Sequence, residues 1–217
     1  MINKLRKWPV VLEVLTVLAV AAVPAHAGVP LSSLIPAGSV TSGNLTFSNF
    51  FYSSTGDMPA ATGVNVNVIP GGIEFQGAFL SLPGDSSDAF ISYTVTVNSG
   101  TGATGASMSG NPAIIGGTGS MSVTDTFTPS DPATMSIFSD VPGSTVNSNS
   151  VTFAGPLLTF DAQKDIEGVG GPLTNGGGIA SLSFVDQTYG GTVPEPTSIL
   201  LMGFGAVGLV GYAWRKR

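Results

Sequence analysis

The chain has 217 residues, a formal net charge of −6, no cysteine and a single histidine, His26. Without cysteine there is no disulfide framework, thiolate metal site or thiol nucleophile. Between Gly28 and Val193 eleven acids (nine Asp, Glu74 and Glu167) stand against one base, Lys164, a balance of −10 that repels phosphate backbones and argues against nucleic-acid binding.

The first element in chain order is MINKLRKWPVVLEVLTVLAVAAVPAHA. It has a basic start (Lys4, Arg6, Lys7), an apolar run from Val10 to Val23 broken by Glu13, and a small-x-small ending, Ala25-His26-Ala27. That layout predicts a secretory signal helix over residues 1–27, removed by signal peptidase after Ala27, with Ala25 and Ala27 as the recognition positions. The alternative is an uncleaved N-terminal anchor. Removal of this segment also removes His26. The remainder then lacks the residues for a Ser-His-Asp or Cys-His pair and for a His-ligated zinc site.

Residues 28–193 form the body, long enough for one domain with a sizeable core. Its clearest element is AFISYTVTVN, from Ala89 to Asn98. Ile91, Tyr93, Val95 and Val97 fall on one face, and Ser92, Thr94, Thr96 and Asn98 on the other. The same alternation runs through NLTFSNFFY (Leu45, Phe47, Phe51), VNVNVI (Val64, Val66, Val68) and GSMSVTDTFT (Met121, Val123, Phe127). GIEFQGAFLSL, TMSIF, SVTFAG, PLLTFDA and IASLSFVDQT read as further strands, whereas Ser99 to Thr118 reads as a long loop or frayed hairpin. No stretch of the body carries apolar residues at helical spacing over three turns. Turn signals such as PGG, LPGDSS, TPSDP, DVPGS and TNGGG separate the runs. Together these predict an all-β, antiparallel two-sheet β-sandwich, jelly-roll-like, with a solenoid as the weaker alternative.

Three acidic clusters invite a chemical reading. Asp85-Ser86-Ser87-Asp88 reads as a polar turn with Asp88 beginning a strand, though its oxygens suit calcium. Asp161 to Gly168 has oxygen-bearing side chains at alternate positions, faintly like a calcium loop. An EF-hand is rejected, because Ile166 occupies the place of the required glycine and Pro172 that of the closing glutamate. Calcium at some other site stays open; no other cofactor is expected. A pair of carboxylates flanking a glycosidic bond is the third idea, but eleven acids make some pair inevitable. Trp8 and Trp214 lie outside the body, and Tyr93 is expected in the core, so sugar-stacking platforms are scarce. No catalytic, metal or cofactor-binding residue is assigned, and the body is expected not to be an enzyme.

Residues 194–217 close the reading. Val193 and Glu195 each precede a proline and are pushed out of the helical region, so Pro194-Glu195-Pro196 forms an extended strap that no sheet interior accepts. Ile199 to Trp214 is free of charge and, as a helix of roughly 24 Å at 1.5 Å per residue, approaches a bilayer's hydrocarbon thickness. Arg215, Lys216 and Arg217 then belong on the cytoplasmic side of the inner membrane. The G-x-G-x-x-G at Gly203 to Gly208 lacks the strand and acidic residue of a dinucleotide site and reads as membrane-helix glycines.

Pro194, Glu195 and Pro196, the Gly-containing apolar helix and the basic cluster Arg215 to Arg217 together resemble the PEP-CTERM sorting signal of exported proteins in Gram-negative bacteria. The resemblance covers about the last 25 residues. It implies recognition by an exosortase, a membrane-embedded cysteine transpeptidase. Cleavage near the motif would release the body to the envelope or the extracellular polysaccharide matrix. Such proteins share a tail and not a domain, so no activity is carried over to the body. The expectation is a structural or adhesive surface or matrix protein. The competing expectation is a secreted protein that binds or cleaves matrix polysaccharide. Two carboxylates facing each other across a groove about 5–10 Å wide would favour the hydrolase.

Overall fold

Side chains alternate across a strand, so a run of alternating apolar and hydroxyl residues buries one face and wets the other. The computed structural model describes residues 28–128, 133–175 and 177–191, and nearly all of its regular structure is of this kind. In chain order the strands are β1 (Val29–Pro30), β2 (Ser39–Ser42), β3 (Leu45–Thr55), β4 (Val64–Ile69), β5 (Gly72–Ser81), β6 (Ser86–Val97) and β7 (Ala103–Gly110). They continue with β8 (Ala113–Ile115), β9 (Gly119–Thr128), β10 (Ala133–Val141), β11 (Thr145–Val146), β12 (Ser148–Leu157), β13 (Thr159–Gly170) and β14 (Ile179–Gly190). A one-turn helix, Leu31–Leu34, tucks Leu31 and Leu34 into the core.

The strands form two seven-stranded sheets. One runs β1-β4-β5-β14-β7-β12, with β8 also paired to β14; the other runs β11-β10-β9-β13-β6-β3-β2. Every pairing is antiparallel. The predicted two-sheet sandwich is therefore the fold. The last two strands, β13 and β14, are consecutive in sequence yet occupy the middle of opposite sheets. Each has neighbours on both edges, so neither offers an open edge to another chain.

Ile91, Tyr93 and Val95 of β6, Val64 and Val66 of β4, and Met121, Val123 and Phe127 of β9 all point inward, as their spacing predicts. Two aromatic groups fill the layer between the sheets. Tyr93 has Phe47, Phe50 and Phe75 within 5.6–6.0 Å between ring centres. Tyr189 has Phe47, Phe127 and Phe160 within 5.3–6.2 Å.

Two expectations need correction. In β3 the alternation predicts Phe51 inward beside Leu45 and Phe47, but Phe50 is buried and Phe51 is 52 % exposed. A register shift between Ser48 and Phe51 opposite β6 inserts one extra residue, and Asn49 there takes φ 55°, a left-handed conformation that asparagine tolerates. The bulge switches which parity faces the core. The second correction is residues 99–118, which are neither a long loop nor a frayed hairpin but contain β7, paired with β12 and β14, and β8, paired with β14. Their inward residues include Ala103, Ala106 and Met108, too small and sparse to print a hydrophobic alternation. At Gly105 a Cβ would sit 2.5 Å from the Val151 carbonyl oxygen, so close backbone approach replaces side-chain packing there.

The predicted signal helix, including Ala25 and Ala27, lies outside the described residues, as do the strap and helix of residues 194–217 with Pro194, Glu195, Pro196, Arg215, Lys216 and Arg217. Among the described residues no helix is long and apolar enough to cross a membrane.

The β3 bulge makes a direct prediction. Phe50→Ala empties a core site and is expected to cost about 3–5 kcal/mol. Phe51→Ala loses only an outer edge-to-face contact with Phe90 (ring centres 6.2 Å apart) and is expected to cost roughly 1 kcal/mol. Urea unfolding of the two variants checks the order.

Candidate functional site

With Ile73 and Phe75 inward on β5, Glu74 points out; with Val185 and Gln187 inward on β14, Asp186 points out. Glu74 and Asp186 are directly paired residues of adjacent strands, so the two carboxyls lie side by side. Burial raises Asp186 above the ordinary carboxylate range, and the charge of Glu74 and a hydrogen bond with it push the same way, while a bond from Ser109 opposes. Asp186 Oδ1 is buried and meets no donor. Asn67 Nδ2 donates to Glu74 Oε1, and Ser109 Oγ donates to Asp186 Oδ2 at 3.4 Å. Beside Asp186 lies a shallow hollow of about 520 Å³, rimmed by Ser107, Ser109, Asn149, Ser150 and Thr188.

A second carboxylate group lies on the outer face of the other sheet. Asp88 of β6 is paired directly with Glu167 of β13, and Asp165 is two residues along the same face. Burial is the first cause of a raised pKa at Asp165. A hydrogen bond with Asp88, its charge, and the charge of Glu167 add to it, bringing Asp165 to about 6.

The acidic clusters of the sequence fall out differently from a loop site. Asp161, Gln163, Asp165 and Glu167 alternate because they are the outward half of β13, with Ala162, Lys164, Ile166 and Gly168 as the inward half. The calcium-loop likeness is strand alternation. Asp85 and Asp88 are separated, Asp85 in a turn closed by its own N–H to Leu82 O (3.0 Å), Asp88 within β6. Among the described residues no three acidic side chains gather to hold a metal ion.

The chemistry that sequence reasoning passed over lies inside. Asp125 sits between Val123 and Phe127 on the inward face of β9, and Lys164 between Ala162 and Ile166 on the inward face of β13. They are directly paired residues, 1 % and 0 % exposed. Lys164 Nζ donates to Asp125 Oδ1 (2.6 Å), to Gln187 Oε1 of the facing sheet (3.1 Å) and to Met108 Sδ (3.4 Å). Gln187 Nε2 in turn donates to Ser107 O (3.3 Å). Nearby, the Tyr93 and Tyr189 hydroxyls bond across the sheets at 2.8 Å. Burial pushes Lys164 down and Asp125 up, each toward its uncharged form, against their mutual attraction. Burial also raises both phenols well above the usual range, and the Asp125 charge adds to it. The signal was present: a charged residue at an inward position on two strands, one of them the body's lone base.

At the end where β14 finishes, a cavity of about 600 Å³ opens between the sheets, lined by Asn44, Gly71, Asn98, Gly102, Tyr189 and Gly191. Gly191 is the last described residue before the strap.

Comparison with known proteins gives one family match. Residues 192–217 match the PEP-CTERM protein-sorting motif. No curated protein matches the sequence. Among solved structures, the carbohydrate-binding module TmCBM61 in complex with β-1,4-galactotriose is a distant neighbour. It has 12 % identity and a TM-score of 0.33, with 64 % of this chain and 88 % of that one covered. The enzymatically active domain of bacteriophage CBA120 tailspike protein 4 gives 15 % identity and a TM-score of 0.27, with 65 % of this chain and 19 % of that one covered. A family 29 carbohydrate-binding module gives 10 % identity and a TM-score of 0.17, over 64 % and 92 %.

Asp165 makes the pH dependence testable. The folded chain keeps its proton up to about pH 6, whereas the unfolded chain releases it in the ordinary carboxylate range. The stability Asp165 contributes is therefore complete at low pH and lost as pH rises through about 6. Asp165→Asn should unfold at higher urea concentration than the native chain at neutral pH and show no gain at acid pH. Carboxyl NMR should place the Asp165 midpoint near 6.

Proposed function

Because the chain carries a PEP-CTERM protein-sorting motif, and so is an exported protein sorted by an exosortase, we propose that its body serves as a non-enzymatic structural or adhesive module of the cell surface or extracellular matrix. In this reading residues 1–27 direct export and are cut after Ala27 by signal peptidase. Residues 199–214 hold the precursor in the inner membrane, with Arg215 to Arg217 on the cytoplasmic side. Exosortase then cuts near Pro194-Glu195-Pro196 and hands residues 28–193 to the envelope or matrix.

The observation that carries the non-enzymatic reading is the placement of the acids. Glu74 and Asp186 are immediate cross-strand neighbours on a sheet face, as are Asp88 and Glu167. Catalytic carboxylates of glycoside hydrolysis flank a bond and leave room for a sugar between them, about 5 Å apart or more. Residues 28–193 also contain no His or Cys to serve as base or nucleophile.

A second reading, binding of matrix polysaccharide, draws on the hydroxyl-rimmed hollow beside Asp186, where Ser109 and Asn149 could meet sugar hydroxyls. A glycan-binding screen of the exported protein, with and without calcium, separates the two. The structural reading expects no tight binding under either condition; tight binding to one defined polysaccharide that weakens on Ser109→Ala replaces it with the second.

Processing has its own test. The mature protein from producing cells should lack Arg217, and replacing Pro194, Glu195 and Pro196 by alanine should leave Arg217 in place, both read by mass spectrometry.

A further inference from the structure

The buried ion pair has a geometry that goes beyond holding the sheets together. We propose that Lys164 and Asp125 are the site of an intramolecular amide crosslink, formed by condensation of the Lys164 Nζ amine with the Asp125 side-chain carboxyl.

Four observations carry it. The two groups are already a hydrogen-bond length apart, 2.6 Å, on directly paired residues of β9 and β13. Turning the Asp125 carboxyl about its Cβ–Cγ bond, a broad and soft torsion, swings its oxygens aside and turns the open face of Cγ to the amine without moving the backbone. Both side chains are sealed from solvent, so the water that would compete with the amine or hydrolyse the product is excluded. Asp125 Oδ2 is buried and has no hydrogen-bond donor, which leaves the carboxyl without the solvation that normally keeps it ionised and unreactive. Finally, Gln187 Oε1 and Met108 Sδ accept the other Lys164 N–H groups and hold Nζ against the carboxyl from the facing sheet.

The reaction balances within the pair. A proton passes from the Lys164 ammonium to Asp125 Oδ1 along their hydrogen bond, leaving a neutral amine and a neutral carboxylic acid. Burial already favours both neutral forms. The nitrogen lone pair attacks Cγ, and the new Nζ–Cγ bond gives a tetrahedral intermediate. A second proton moves from Nζ to the Oδ1 hydroxyl, the Cγ–Oδ1 bond breaks, and one water leaves. No oxidant, metal or co-substrate takes part. For an exported chain without cysteine, this would supply the covalent tie between strands that a disulfide cannot.

The sequence provides an unusually clean assay, because Lys164 is the only Lys or Arg between Gly28 and Val193. The full-length or processed protein is denatured and digested with trypsin, which cuts after a free lysine and not after an acylated one. The expected result is no cleavage after Lys164. A second protease should then release a branched peptide joining the Asp125 and Lys164 segments, lighter than the sum of its arms by one water. Lys164→Arg keeps the charge and the trypsin site but removes the nucleophilic amine, and Asp125→Ala leaves a free lysine; both should be cut at position 164. Complete cleavage after Lys164 in the native protein, with a linear peptide of unmodified mass, means an ion pair only and overturns the proposal.

Discussion

Lys164 is the one base of residues 28–193, and the fold places it in the layer between the sheets, where every polar group must find its partner inside the protein. Asp125, Gln187 and Met108 supply those partners from three strands of two sheets, so the register of β9 against β13 and the docking of β14 over them are fixed together. Removing one member of such a pair leaves an uncompensated buried charge, a loss of several kcal/mol, about 3–5. An apolar core alone would tolerate a slip of one sheet over the other far more readily than this network does.

The outside of the body follows from the same placement. With its cation withdrawn into the core, the surface of the described body has carboxylates and no base to neutralise them. Where the strand register sets acids side by side, they meet each other: Glu74 with Asp186 on one sheet, Asp88, Asp165 and Glu167 on the other. Burial first, and these neighbouring carboxylates after it, raise the proton affinities of Asp165 and Asp186. The remaining outer positions are mostly Ser, Thr and Asn.

The sorting motif hangs from a well-anchored place. β14 lies in the middle of its sheet, bonded to β5 on one side and to β7 and β8 on the other, and the chain passes from its end at Gly190 and Gly191 into residues 192–217. Because β14 is both the last strand of the described residues and a central one, its sheet is incomplete until residues 179–190 are in place.

The sequence by itself determined the class of fold and the address. Period-two alternation in AFISYTVTVN and its relatives is a local consequence of strand geometry, and Pro-Glu-Pro with its apolar run and basic end is read residue by residue. Tertiary structure alone decided what depends on pairing partners. The bulge at Asn49 exchanged Phe50 for Phe51 because register is set by β6 and not by β3 itself. The strands β7 and β8 emerged from a glycine-rich stretch because their small residues are needed only where another backbone comes close. Asp125 and Lys164 lie 39 positions apart in sequence, and nothing local to either says that they meet. Their contact exists because two antiparallel strands pair in one register and a second sheet seals them from water.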